Sequence, residues 1–467
     1  MRVLMVATNR ERSPFPVAPL GALVVTAAAR KADFEVDVLD LGVVHFPARA
    51  LRVALQGGRY DVVAFSIRNL DNCSFSRPES YIEQVAELTD VVGRCTEAPI
   101  VLGGSGFSVA PAGWFRRTGA DYGVVGEGEL AFVELLSRLA ADESPRGLTG
   151  VVVREDASEA SAATPCARVK DLDSLPMPSH EDCRYSWYTK RGGFVSVQTK
   201  RGCPCHCIYC VYPALEGAGI RLRDPVAIAD EVEAVVRAQG EEWFFFSDSV
   251  FNLPRSHAME VCAELSRRGS PARWMAYCNP LGFDREFAEA LVASGCVGVE
   301  LGLDAAVDKM LVQMGKPFDQ RQIRCSMEAA RQAGLPLAVH LLFGGPTETL
   351  ADVRETQEFL SSCAPVNAVL ASIGIRIHEN TPLEKRARQE GLLEEAGDLF
   401  EPAFYVSPDL GSDPMAAIDR VVRQRPEWSS PADWAKFSMR ATQSLVNRFG
   451  SRPQWRNVRK YGEHVRR

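Results

Sequence analysis

FVSVQTKRGCPCHCIYC, residues 194–210, runs from a short apolar strand straight into a loop where Cys203, Cys205, Cys207 and Cys210 crowd together. Cys203, Cys207 and Cys210 stand in the spacing C-x3-C-x2-C. Three thiolates on one short loop can hold three irons of a cubane and leave the fourth iron open to an outside ligand. A zinc knuckle is the competing reading, with His206 or Cys205 as a further ligand. Zinc sites usually pair two separated C-x-x-C hairpins, whereas here every thiol lies on one loop at the carboxyl end of a strand. Cys205 is an extra thiol that either competes for iron or points away.

Downstream, EEWFFFSDS, ARWMAYC, GVELGL, PLAVHLLFGG and NAVLASIGI alternate with amphipathic helical stretches. With FVSVQT this makes about six strand-helix repeats, which predicts a partial (β/α)6 barrel. Upstream, RVLMVAT, FEVDVLDL, DVVAFSI, PIVLGG and DYGVVG also alternate with helices, so a doubly wound parallel sheet covered on both faces is expected there. The fold class is therefore α/β, with two such units. Ligands on such sheets bind at the carboxyl ends of the strands. Those ends carry Ser66, Arg68 and Asn69, then Gly103, Gly104 and Ser105, then Gly126 and Glu127. Low periodicity, an acidic Ala/Ser-rich stretch and prolines mark 144–189 as a linker. The expected division is a sheet domain at 1–143, the linker, the barrel at 190–406 and a small, mainly helical region at 407–467. That last region holds Trp428, Trp434, Trp455 and a basic end read as a solvated surface.

The chain has 467 residues, 46% of them hydrophobic, and a net charge of −7, which gives no general attraction for nucleic acid or anionic membrane. No apolar run is long enough for a membrane span and the amino terminus reads as a buried strand, so a cytoplasmic protein is expected. Most of the thirteen cysteines are scattered singly; Cys73, Cys262, Cys296 and Cys325 read as small core residues. In a reducing compartment the clustered ones point to metal or redox chemistry.

On these motifs the chain resembles the radical S-adenosylmethionine (SAM) superfamily. Tyr209 fits its C-x3-C-x-aromatic-C form. FFFSDS (residues 244–249), GVELGLDAAVDKMLVQMGKPF (298–318), GGPTET (344–349) and RIHENTPLEKRARQEGLL (376–393) resemble later landmarks in the same order. The resemblance implies a [4Fe-4S] cluster on Cys203, Cys207 and Cys210, with Tyr209 near the adenine of SAM. It also implies Asp248 near the methionyl group, and Glu300 and Gly302 beside the ribose. Read from the residues alone, Asp248 is equally a helix cap and Glu300 a satisfied strand-end carboxylate.

FSIRN, VLGGSGFSVAP and VVGEGELAFVELL resemble the cobalamin-binding domain that precedes many radical SAM enzymes. The likeness implies that Ser66, Gly103, Gly104, Ser105, Gly126 and Glu127 border the corrin and its nucleotide tail. Methionine synthase and its relatives carry a D-x-H-x-x-G loop whose histidine ligates cobalt. This chain lacks it, and His45 is the only histidine of the first domain. The resemblance then leaves Arg68 or Asn69 at the lower face of the corrin; a guanidinium has no lone pair to give cobalt. The alternative for Arg68 is an ion pair with Asp71.

The implied activity is that of a cobalamin-dependent radical SAM C-methyltransferase. It uses SAM, cobalamin and the cluster, draws electrons from a flavodoxin- or ferredoxin-type donor, and methylates a carbon of a small molecule or peptide in specialised biosynthesis. Tyr277, Arg376, His378 and the C-terminal tryptophans are candidate substrate contacts by strand-end position. A non-methylating cyclisation or ring rearrangement would use the same cofactor motifs. A methylthiotransferase would need three more cluster cysteines in the first domain, where only Cys73 and Cys95 stand. A cobalamin or redox sensor would leave the SAM landmarks unexplained.

Overall fold

A computed structural model describes residues 1–161, 163–394, 399–429 and 452–457. The first sheet contains β1 (Arg2–Ala7), β2 (Glu35–Asp40), β3 (Val62–Ser66), β4 (Ile100–Gly103), β5 (Tyr122–Val124) and β6 (Val151–Val153), in the order β2-β1-β3-β4-β5-β6. Five strands run parallel. Side chains of a strand alternate between faces, and both faces here are apolar. Leu4, Val6, Val63 and Phe65 enter one core, while Val3, Met5, Val62 and Ala64 enter the other. That is why these runs read as continuous apolar stretches rather than as alternation.

The sheet runs past the expected boundary at 143. Val151–Val153 pairs antiparallel with β5, so the start of the expected linker belongs to the first domain. The rest of that segment crosses to the barrel through short turns and the helix Tyr185–Thr189. It is tied down on the way, since Arg30 bridges to Asp182 at 2.6 Å and Tyr188 donates to Asp40 at 2.6 Å.

The barrel is a seven-stranded, open, parallel sheet. Its strands in spatial order are Val195–Val197, Trp243–Phe246, Arg273–Cys278, Cys296–Asp304, Leu337–Phe343, Ala368–Ile373 and Trp428–Ser429. Val195, Val197, Phe244, Phe246, Val299, Leu301, Val339 and Leu341 face the outer helices. Phe194, Met275, Ala338 and Ala368 face inward and pack with Trp455. The described residues after 407 include more than helix. Besides the helix Pro414–Val422, Trp428 adds a seventh strand and Trp455 enters the barrel. Trp434 lies outside the described residues. Of the single cysteines, Cys262 and Cys296 are buried as expected, whereas Cys73 and Cys325 are exposed. Among the described residues no helix is long and apolar enough to cross a membrane.

Candidate active site

The cysteine loop leaves the first barrel strand through Lys200 and Arg201, which pair antiparallel with Arg221 and Leu222. Cys203 N–H donates to Gly217 O at 3.0 Å, and Ile208 N–H donates to Met314 O at 3.2 Å. The loop is therefore held from both sides by backbone. Cys203 is buried; Cys205, Cys207 and Cys210 are half-buried and His206 is exposed. Bonding to Cys205 lowers the Cys203 thiol to about 6, whereas burial raises Cys210 to about 12 and also raises Cys207. Among the described residues no three His, Cys, Asp or Glu side chains converge as a ready metal site. Three soft thiols on one braced loop are the donor set that a cubane takes.

Beside this loop Tyr209 meets two residues that the sequence did not single out, Asp304 and Lys316. Asp304, at the end of the fourth barrel strand and with φ of 62°, pairs with Lys316 and accepts from the Tyr209 hydroxyl. Lys316 also bonds the Cys207 thiol. Tyr209 is thus fixed by its hydroxyl next to the thiols, where its ring can flank a ligand. Gly302, also expected at the ligand, opens onto empty space.

Other predicted contacts are committed elsewhere. Asp248 is 2% exposed and accepts from Thr199 N–H at 2.8 Å, Thr199 Oγ1 at 2.5 Å and Lys200 Nζ at 3.3 Å. Its carboxylate locks the root of the cysteine loop to the second strand, leaving nothing for a methionyl group. Glu300 accepts from Trp455 Nε1 at 2.9 Å and lies 2.6 Å from His340 Nε2, so each of its oxygens has a protein partner. Arg376 is 5% exposed, pairs with Asp71 at 2.8 Å and donates to Leu399 O at 2.9 Å, so it is no substrate contact. Trp428 is buried in the outer core. His378 is lowered to about 4 by burial and then by Arg376, which keeps it neutral. Tyr277 is 40% exposed and shares the inward face of its strand with Met275.

The first sheet carries a cavity of about 260 Å³ at its carboxyl edge. It is lined by Ser66, Gly103, Gly104, Ser105 and Gly126 together with Gly21, and it reaches the barrel at Arg201 and Tyr212. That is near the small end of ligand cavities, so it takes one arm of a large cofactor. The glycines divide by role. A Cβ on Gly104, at φ of 94°, would come within 2.5 Å of Ile67 O, so this glycine lets β4's turn pack on the β3 loop. A Cβ on Gly103 or Gly21 would meet nothing closer than 3.8 Å and would stand in the cavity instead. The cradle therefore fits a flat appendage laid against backbone.

Glu127 lines the same cavity but is held by Arg221 and, at 3.2 Å, by Arg201, while Glu129 pairs with Arg201. Against burial, which raises it, Arg221 and Arg201 hold Glu127 below its ordinary range. Its work is to bind the first sheet to the base of the cysteine loop. Arg68 is exposed and gives its carbonyl to Ser105 Oγ at 2.6 Å. Its guanidinium lies within electrostatic reach of Tyr212 and Tyr277 across the domain boundary. Asp71 pairs with Arg376 instead.

Comparison with known proteins agrees with this geometry. Residues 197–360 match the Radical SAM superfamily and residues 8–136 match the B12 binding domain. Tryptophan 2-C-methyltransferase of Streptomyces laurentii is 30% identical over 409 residues, covering 73% of this chain and 67% of the relative. The radical SAM methyltransferase TsrM of Kitasatospora setae, solved with tryptophan substrate and a SAM analogue, superposes with a TM-score of 0.87 at 24% identity, over 100% of this chain and 98% of that one. The cobalamin-dependent SAM radical enzyme OxsB superposes with a TM-score of 0.77 at 15% identity, over 100% and 71%. This chain therefore belongs to the radical SAM enzymes that carry a B12-binding domain.

Proposed function

We propose that this chain is a cobalamin-dependent radical SAM methyltransferase that moves a methyl group from SAM, by way of cobalamin, to a carbon of a small molecule in natural-product biosynthesis. An indole of the tryptophan type is the first substrate to try, on the strength of the 30% identical tryptophan methyltransferase. One observation carries the reading: the glycine-lined cavity reaches the segments that flank the cysteine loop, touching Arg201 before it and Tyr212 and Glu216 after it.

When bound, the cluster, SAM and cobalamin supply the methyl group and the means of activating it. Cys203, Cys207 and Cys210 would hold the cluster, with electrons from a flavodoxin- or ferredoxin-type donor. Ser66, Gly103, Gly104, Ser105 and Gly126 would cradle the cobalamin. Arg68 or Asn69 would border it, and the Arg68 guanidinium has no lone pair to give cobalt. Tyr209, fixed by Asp304 and Lys316, would flank SAM beside Gly302. The chain's own work is to position these groups and to exclude water from the space between the domains.

The test is anaerobic purification with cobalamin, measurement of iron and cobalt, and then reaction with SAM, reductant and L-tryptophan. About four irons and about one cobalt per chain, with S-adenosylhomocysteine and a methylated product, is the expected result. Iron without cobalt would remove the methyltransferase reading and leave the barrel chemistry alone.

A further inference from the structure

Inside the barrel, one histidine is aimed into the chamber by a buried carboxylate. His340 sits on the fifth strand, Leu337–Phe343, between Val339 and Leu341, which face the outer helices, so its own side chain points inward. Its Nε2 lies 2.6 Å from Glu300 Oε2, and the other oxygen of Glu300 accepts from Trp455 Nε1 at 2.9 Å. The Glu300 side chain is 6% exposed while that of His340 is 35% exposed. Tyr277 meets the His340 ring edge-on at 5.9 Å. The carboxylate is thus hidden behind the imidazole, and the imidazole and phenol form the wall.

An ionised carboxylate only accepts hydrogen bonds, so Nε2 must carry the proton. A neutral imidazole held in that tautomer presents its lone pair at Nδ1. Among the described residues Nδ1 has no partner. The tail residue Trp455 takes part because its indole N–H occupies the second oxygen and prevents the carboxylate from turning.

We infer that His340 is the residue that reads the substrate, accepting through Nδ1 a hydrogen bond from a ring N–H or a hydroxyl, with Glu300 and Trp455 as positioning residues. The inference deepens the methyltransferase reading and rests on it. A site built to accept from a substrate N–H discriminates against the isostere that lacks one, because a desolvated acceptor is then left unpaired.

The test uses the holoenzyme with cluster, cobalamin, SAM and reductant, and two probes: L-tryptophan and its benzothiophene isostere, in which sulfur replaces the ring N–H. The quantity read is the ratio of their kcat/KM values, compared between wild type and His340→Leu so that intrinsic ring reactivity cancels. Each rate is normalised to the S-adenosylhomocysteine that the same preparation forms from SAM and reduced cobalamin without substrate. The preference for tryptophan should fall about 10- to 100-fold in His340→Leu. Glu300→Gln should lose it as well, because a carboxamide N–H facing Nε2 enforces the other tautomer and turns Nδ1 into a donor. Trp455→Phe should give a smaller change in the same direction.

In wild type the preference should weaken as pH falls through the His340 pKa. Burial works against the charged imidazole, but Glu300 outweighs it and places that pKa above the ordinary histidine value. The other ionisable groups facing His340 are Asp304 on the fourth strand and Tyr277 on the third; the sixth strand, Ala368–Ile373, presents none. An unchanged ratio in His340→Leu overturns the assignment. Wild type that forms S-adenosylhomocysteine but methylates neither probe sinks the indole reading and this assignment with it. Absence of S-adenosylhomocysteine sinks methyl transfer itself.

Discussion

Cys205 bonds to Cys203, the first thiol of the C-x3-C-x2-C set, yet stands outside that spacing. Replacing Cys203, Cys207 or Cys210 with Ala should each remove the cluster, read as loss of iron and of its visible absorbance. Cys205→Ala should keep about four irons per chain, as a cubane on the other three thiols requires. Glu348 gives a second test at this scale. It is 2% exposed and accepts from Gly344 N–H at 2.5 Å and Gly345 N–H at 3.1 Å, and burial raises its carboxyl to about 7. A raised carboxyl contributes stability that is fully present below the unfolded value, near 4.5, and is lost as pH rises through about 7. At roughly 1.4 kcal/mol per pKa unit the loss is about 3 kcal/mol. Glu348→Gln should flatten that slope in denaturant titrations run at pH 5 and pH 8.

At this scale the cysteines were legible because their chemistry is written in their spacing. Asp248, Glu127, Glu300 and Arg376 have protein partners that the sequence did not reveal. A carboxylate is claimed by whichever donor folds against it, and Thr199, Arg201, Trp455 and Asp71 lie far from those four in the chain or on another strand.

At the scale of elements, the turn after β4 separates two functions in adjacent residues. Gly103→Val should place a side chain in the cavity, abolishing cobalamin retention with little loss of thermal stability. Gly104→Val should weaken the fold itself, since the new side chain meets Ile67 O in a left-handed backbone conformation. Cobalt content and melting temperature, measured on both variants, check this pair. The strands were legible because their apolar runs are long and β-branched. Val151–Val153 and Trp428–Ser429 were not, since each gains its identity from the neighbour that pairs with it.

Across the whole molecule, the two domains are joined by charges buried between them. Asp71 and Arg376 form an ion pair from opposite domains, with side chains 1% and 4% exposed. Asp71→Ala should lower stability by about 3–5 kcal/mol, because it leaves a buried guanidinium uncompensated. The double variant Asp71→Ala with Arg376→Leu should recover part of that loss in chemical denaturation, and additive losses would show that the pair is not coupled. The same junction explains the division of information. The sequence by itself determined the two α/β units and the cluster thiols, because apolar periodicity and cysteine spacing are local properties of the chain. Tertiary structure decided which of the polar strand-end residues are clamps and which face the chamber. It also placed Trp455 behind Glu300 inside the barrel, because burial and hydrogen-bond partnership exist only once distant segments meet.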